Sequence, residues 1–346
     1  TLPVLKGILI EADTDGTITL SASDLDISIR RKIEADVEEP GSAVVASKLF
    51  GDIVRKLPNE MILIEAGDEN SVLIKTSSSE FNVIGLSVED FPQIKDNKEI
   101  INRLTFSCET FKDMVRKTAF AASAEEAKGI LTGILTEITP GNVRMVALDG
   151  FRLALSNEPV DIGTEENFII TARIMNEISK IISDDSDAED MEILLSDKKA
   201  VFNIGNTEVS LRLMEGEFIR YRDIIPSDGS TTVIIGKSIL LESIERASLL
   251  AREGKNNLIK ISVHNDLMTI TSRSEEGNVK EEIIMDQTGD DIDIGFNSKY
   301  VTDVLKAIDD EEIRMIFSTG TSPCVIKPVG SDAFEYLVLP VRIPRI

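Results

Sequence analysis

The sequence predicts an α+β chain made of three similar units. Three observations predict it. A ten-residue helical pattern returns along the chain, with its leading base at Lys48, Arg173 and Lys299. Short runs of alternating apolar and polar residues recur at the same step, as half-buried strands do. A second amphipathic helix precedes the repeated one in the second and third copies. Internal repetition of this length sets the organisation of the whole fold.

The first copy opens on Thr17-Ile18-Thr19-Leu20-Ser21, an alternating run that stops near Asp24. Its helix runs through Ala46–Arg55, with Lys48 four residues before Asp52. That spacing sets a base and an acid on one helical side. Leu49, Ile53 and Leu57 are expected to form the buried stripe. The run Glu80-Phe81-Asn82-Val83-Ile84-Gly85-Leu86 reads as a strand, followed by Phe91.

The second copy starts with a helix over 107–122, with Phe111, Met114, Val115 and Thr118 on one side. Val143-Arg144-Met145-Val146-Ala147 matches the first alternating run, and Asp149 matches Asp24. Asp149-Gly150 between alternating neighbours is a strong hairpin signal. The repeated helix returns over Thr171–Lys180, then the strand Glu208–Leu213 and Phe218. The third copy repeats the series: a helix over 237–251 with Leu240, Ile244, Ala247 and Ala251 inward, Thr269-Ile270-Thr271, a helix over Asn297–Lys306, and the strand Glu335–Leu339. Polar, turn-rich stretches at Asp96-Asn97-Lys98 and Pro226–Ser230 separate the copies, giving units 1–98, 99–227 and 228–346. The first copy lacks the preceding helix. The natural chain is therefore expected to begin about two dozen residues earlier, a length taken from the repeat itself.

Composition narrows the function. The chain has 346 residues, 61 acidic against 37 basic, a net charge of −24, and 42% hydrophobic residues. That is enough apolar matter for sizeable cores and excludes a disordered or fibrous chain. No apolar run approaches the roughly 20 residues of a membrane-spanning helix. Two cysteines cannot build a disulfide framework, which points to a reducing cytoplasm. One histidine and no tryptophan leave little for metal or imidazole chemistry. Acid pairs such as Glu125-Glu126 and Asp184-Asp185, or Asp149 with Arg152, raise the question of an enzyme. No phosphate-binding glycine loop or nucleophile elbow accompanies them. His264 beside Asn265-Asp266 reads as a solvated turn, and the acidic runs 184–187 and 309–312 as solvated loops. The expectation is a non-catalytic protein without cofactor or metal.

An ordered set of stretches then carries a likeness. They are Thr1-Leu2-Pro3-Val4-Leu5, Ser23-Asp24-Leu25-Asp26, Asp90-Phe91-Pro92, Asp149-Gly150-Phe151-Arg152-Leu153-Ala154, Gly295-Phe296-Asn297-Ser298-Lys299-Tyr300 and Leu339-Pro340-Val341-Arg342. With the threefold repeat, they make the chain resemble the bacterial β sliding clamps, the DNA polymerase III β subunits. The resemblance implies three DNA-clamp domains per chain and a head-to-tail dimeric ring. Helices would line the hole and antiparallel sheets would form the outer wall. It also implies duplex DNA bound without sequence preference, and polymerase, clamp loader and repair proteins bound through short linear peptides.

Charge by segment is compatible with that. Segments 48–57, 107–120, 172–182, 237–255 and 298–308 hold fourteen bases against eight acids, so the rest of the chain carries −30. A small excess suits a ring held by topology, since many phosphate contacts would pin it. The resemblance makes Lys112, Arg116, Lys117, Lys128, Arg173, Lys180, Arg246, Arg252, Lys299 and Lys306 candidate DNA-facing bases. Taken alone they read as solvated helix faces.

The resemblance also implies a peptide pocket of Leu131, Leu148, Gly150, Phe151, Arg152, Leu153, Ile219, Ile224, Val338, Leu339, Pro340, Val341 and Arg342, flanked by Asn297 and Tyr300. Phe151 stands where the family often has histidine and Ile219 where many members have proline. Pro344-Arg345-Ile346 extends past the usual end. Ring closure would use Ile94, Leu249 and Leu250. A peptide-binding scaffold of three repeats that does not hold DNA is the alternative the residues leave open.

Overall fold

The alternating runs become antiparallel strands, and the second and third copies share one order of elements but for the extra strand β20 in the third, the first copy showing that order from β1 onward. A computed structural model of the chain describes residues 3–92, 102–184, 188–226 and 228–343. Ile94, the 96–98 link and Pro344-Arg345-Ile346 lie outside these. The first copy holds β1 (Gly7–Asp13), β2 (Thr17–Ser23), β3 (Ile27–Glu34), β4 (Gly41–Ala46), α1 (Ser47–Lys56), β5 (Leu63–Ala66), β6 (Ser71–Lys75) and β7 (Glu80–Ile84). The second holds β8 (Asn102–Ser107), α2 (Cys108–Thr118), β9 (Gly133–Thr139), β10 (Asn142–Leu148), β11 (Arg152–Pro159), β12 (Glu166–Thr171), α3 (Ala172–Asp184), β13 (Asp190–Leu195), β14 (Lys199–Ile204) and β15 (Thr207–Arg212). The third holds β16 (Thr231–Gly236), α4 (Lys237–Ala251), β17 (Leu258–His264), β18 (Leu267–Ser274), β19 (Gly277–Ile284), β20 (Asp286–Gly289), β21 (Ile292–Asn297), α5 (Ser298–Ala307), β22 (Glu312–Phe317), β23 (Cys324–Pro328) and β24 (Phe334–Val338).

Two compact units result, Thr1–Cys108 with Ile181–Leu213 and Glu109–Lys180 with Met214–Ile346. In the first, an eight-stranded sheet runs β4-β1-β2-β3-β15-β14-β13-β8 beside a three-stranded sheet β5-β6-β7. In the second, a nine-stranded sheet runs β12-β9-β10-β11-β24-β23-β22-β16-β20 beside a four-stranded sheet β19-β18-β17-β21. Both large sheets cross from one repeat to the next. In the first unit β15 pairs with β3, with Val209 opposite Ile29. In the second, β24 pairs with β11, with Tyr336 opposite Ala154.

The helices pack as their periodicity dictates, with one adjustment. Phe111, Met114, Val115 and Thr118 of α2 are buried, as are Leu240, Ile244, Ala247 and Ala251 of α4. In α1, Ile53 is buried but Leu49 is half exposed. Phe50 and Leu57 join Ile53 against Ile10, Val45, Val72 and Ile74 instead. Residues 50, 53 and 57 share one helical side, and the larger ring of Phe50 takes the inner place. The base–acid spacing also resolves unevenly. Lys299 and Asp303 pair at 3.5 Å, whereas Asp52 takes Arg55 at 2.6 Å and Glu177 takes Lys180 at 2.8 Å, each one turn later in the helix.

His264 closes β17, and Asn265 and Asp266 turn the chain with positive φ. Its ring meets Asp291 at 3.1 Å and Asp293 at 3.3 Å, and these carboxylates raise its pKa above the ordinary imidazole value. The residue is a surface anchor between β17 and β21.

Candidate functional site

The site grows from the turn between β10 and β11. Gly150 sits at φ +94°, a conformation that a side chain would strain. Asp149 fixes the rest: its Oδ1 accepts from the backbone N–H of Phe151 at 2.8 Å and of Arg152 at 3.0 Å. Its Oδ2 accepts from Arg152 Nε at 3.2 Å. The Arg152 guanidinium is only 7% exposed. It donates to Asp303 Oδ2 at 2.6 Å and lies over the rings of Tyr300 at 4.8 Å and Phe120 at 5.4 Å. Burial of so strong a cation is tolerable because two carboxylates and two rings replace its water. Burial, with the Asp149 carboxylate nearby, pushes the Tyr300 phenol up.

Phe151 caps this cluster. Its ring stacks on Tyr300, centroids 5.9 Å apart and tilted by 21°, with the Lys128 ammonium 5.4 Å from the ring centre. Lys128 also reaches the Asp149 carbonyl at 3.4 Å. Half of Phe151 stays exposed.

The tail after β24 is strapped across the turn. Leu339 N–H donates to the Phe151 carbonyl at 2.9 Å, and Val341 N–H to the Gly295 carbonyl at 2.8 Å. Pro340, which has no N–H to satisfy, falls between the two bonds. Gly295 allows the second strap, because a Cβ there would meet the Val341 oxygen at 2.6 Å. Beneath lies a floor of Leu148, Leu153, Leu155 and Leu337, with Leu131 and Leu339 packed on it half-buried. Tyr221 is buried in the same cluster with Phe218 and Ile225 packed on it, and Ile219 and Ile224 beside it in sequence are each 44% exposed. Tyr221 donates to Glu137 Oε2 at 2.5 Å, and Arg222 reaches the same oxygen at 2.7 Å.

The second unit thus gathers Leu131, Leu148, Gly150, Phe151, Arg152, Leu153, Tyr300, Val338, Leu339, Pro340 and Val341 about the turn and the tail, while Ile219 and Ile224 are exposed on either side of Tyr221 in sequence. Asn297 caps α5 by accepting from Lys299 N–H, one turn before Tyr300, and Arg342 is exposed on the tail. Phe120, Asp303 and Gly295 belong here too, although the sequence offered each only as an ordinary helix or strand residue. The arrangement presents aliphatic side chains beside an aromatic ledge. Among the described residues no group of three or more candidate metal ligands occurs.

The candidate bases are distributed along the second unit, and most already hold acids. Arg116 pairs with Asp113 and Asp309 and donates to the Ala307 carbonyl, tying α2 to the end of α5. Lys306 of α5 reaches Glu245 of α4 at 2.8 Å. Arg246 grips Glu281, its closest contact 2.7 Å, and Lys180 takes Glu177. These contacts set α2, α5 and α4 side by side. Lys112, Arg173 and Arg252 are exposed, as is Lys299, whose ammonium reaches Asp303. Lys117 is 13% exposed and held between Asp113 and Glu158, and Lys128 stands at the Phe151 ledge. Leu249 is 64% exposed on α4, and Leu250 is partly covered.

Three family models cover the chain: the N-terminal, central and C-terminal domains of the DNA polymerase III beta subunit match residues 1–95, 105–219 and 222–342. A beta sliding clamp of Bacillus subtilis is 34% identical over 355 residues, covering 99% of this chain and 93% of that protein. A DNA polymerase III beta subunit of Thermotoga maritima superposes with a TM-score of 0.93 at 28% identity, covering 99% and 93% of the two chains. A sliding clamp of Pseudomonas aeruginosa, solved bound to griselimycin, superposes with a TM-score of 0.92 at 26% identity and the same coverage.

Arg152 organises turn, tail and helix together. Arg152→Ala strands two carboxylates, so urea denaturation is expected to read a loss of about 3–5 kcal/mol, the usual cost of breaking a buried pair. Arg152→Lys keeps the charge, loses the fork and falls between. A loss below about 1 kcal/mol, the value of an exposed pair, contradicts this role.

Proposed function

The chain belongs to the DNA polymerase III β-subunit family, and from that premise we propose how its residues do a clamp's work. It has the three-domain sliding-clamp fold and is a DNA sliding clamp, a non-catalytic processivity factor of DNA replication. The domains divide near residues 98 and 227. Two copies close head to tail into a ring around duplex DNA in the cytoplasm, with the helices toward the duplex and the sheets outward.

DNA is held loosely. Lys112, Arg173 and Arg252 are exposed, and Arg116, Lys180, Arg246, Lys299 and Lys306 share their charge with carboxylates. A phosphate must compete with those carboxylates, so each contact adds little and the ring is free to slide. The acidic remainder of the chain disfavours DNA elsewhere. Lys117 and Lys128 are set aside, because their geometry gives them other partners.

Polymerase, clamp loader and repair proteins dock through short peptides in the Phe151–Leu339 pocket. The tail strapped over the Asp149–Arg152 turn supports this, since it leaves apolar side chains exposed on a rigid floor. Two or three anchors at roughly 1.5–3 kcal/mol each supply much of the about 8 kcal/mol of a micromolar complex. Weak binding lets clients exchange. Leu249 and Leu250, with Ile94, contribute to ring closure.

Retention on DNA tests the clamp. Loaded onto nicked circular DNA, the protein is expected to stay bound in high salt and to run off once the circle is cut. Equal release from both forms contradicts topological binding. For the pocket, Leu339→Ala with Pro340→Ala is expected to weaken a polymerase-derived peptide about tenfold or more by calorimetry, the loss of one anchor. The dimer measured by sedimentation should persist. Unchanged affinity counts against the pocket.

A further inference from the structure

The chain between β15 and β16 packs on the face of the nine-stranded sheet that carries Leu148, Leu153, Leu155 and Leu337. Its anchors are Met214, Phe218, Tyr221 and Ile225, of which only Tyr221 is fully buried. Ile219 and Ile224 stay exposed between those anchors. Backbone bonds tie both to Tyr221. The Tyr221 N–H donates to the Ile219 carbonyl at 2.7 Å, and the Ile224 N–H donates to the Tyr221 carbonyl at 3.2 Å. The placement of this one ring therefore sets the placement of two exposed isoleucines.

The far end of the ring is held by charge. Glu137 of β9 lies opposite Arg144 of β10, so both side chains stand on the face beneath the segment. The Tyr221 hydroxyl donates to Glu137 Oε2 at 2.5 Å and accepts from Arg144 Nη1 at 3.4 Å. Arg222 donates to the same Glu137 oxygen at 2.7 Å, its guanidinium 4.7 Å from the ring centre. Arg144 Nε is buried with no hydrogen-bond partner among the described residues, so this guanidinium has little besides the hydroxyl to bond. Burial first, and the Glu137 bond second, raise the phenol above its ordinary pKa, which keeps it protonated and donating.

We propose that Tyr221 is a positioning residue of the peptide pocket: its hydroxyl, clasped by Glu137 and Arg144, fixes Ile219 and Ile224 as one wall for the bound peptide. The proposal rests on the reading of the Phe151–Leu339 patch as that pocket and adds the group that holds its further wall. Tyr221 shares its core with Leu148, Leu153 and Leu337, the floor on which Leu339 packs. Apolar contact alone would let the ring slide on that floor, whereas hydrogen bonds to two groups of the sheet are directional. An isoleucine on a loop already fixed binds without the ordering cost that a loose loop carries. The hydroxyl itself is occupied by Glu137 and Arg144, so its effect on a peptide passes through the two isoleucines.

Calorimetry with the polymerase-derived peptide and the full 346-residue chain reads the role. Tyr221→Phe keeps the ring and is expected to weaken the peptide about three- to tenfold, the net worth of one hydrogen bond. Glu137→Ala removes the acceptor, leaves the ring whole and should do likewise. Glu137→Gln keeps an oxygen for the hydroxyl and should lose less. With Ile219→Ala and Ile224→Ala already in place, Tyr221→Phe is expected to change the affinity by less than about twofold, because residues acting through one another are not additive. A residue that only stabilises the fold costs the same in both backgrounds, and that result overturns the proposal. Unchanged affinity in Tyr221→Phe and both Glu137 variants overturns it too. If Leu339→Ala with Pro340→Ala still weakens the peptide in that case, the pocket stands without this clasp. A peptide indifferent to Leu339 and Pro340 as well overturns the pocket reading and this proposal with it.

Discussion

Edge-to-edge strand pairing is the constraint on which the molecule depends. A repeat of this kind ends in a strand whose outer N–H and C=O groups need partners, and it carries a hairpin strand with the same need. One repeat cannot satisfy its own edges. Placing repeats in series satisfies them, as β15 on β3 and β24 on β11 do. The ladder thus crosses each repeat boundary, and contacts divide the chain into two units rather than three. Among the described residues, β7 and β19 stand at the ends of their sheets.

The apolar cluster at the Asp149–Arg152 turn is a by-product of the second junction. Pairing β24 with β11 brings Val338 opposite Arg152, and the chain beyond β24 has no option but to pass over the turn. Phe151 and Gly295 catch it there with two backbone bonds. Arg152 then locks turn to helix through Asp149, Asp303 and two rings. The same linkage that extends the sheet therefore also builds a fixed surface with exposed apolar side chains. A recruiting site needs that rigidity, because a floppy patch would lose affinity to ordering costs.

The repeat, the strands at 17–21, 80–86, 143–155, 208–213, 269–271 and 335–339 and the five helices were legible in the sequence because they depend on periodicity. The turn and the tail that the fold straps together were marked by the Asp149–Ala154 and Leu339–Arg342 stretches. Other features depended on partners far along the chain. Nothing near Asp303 says that it faces Arg152 across 151 positions. Gly295 shows its purpose only when Val341 crosses it. Leu49 against Phe50 was decided by the shape of the core, and Asp52 against Arg55 by local rotamers. Nothing near Lys117 or Lys128 in the sequence says that the fold brings Glu158 to the one and the Phe151 ring to the other.

Amide hydrogen exchange tests the central constraint most directly. The account predicts strong protection at β15, β3, β24 and β11, since each carries a ladder partner on both sides, and weaker protection at the edge strands β7 and β19 of a single copy. Exchange at β15, β3, β24 and β11 as rapid as at those edges would contradict it.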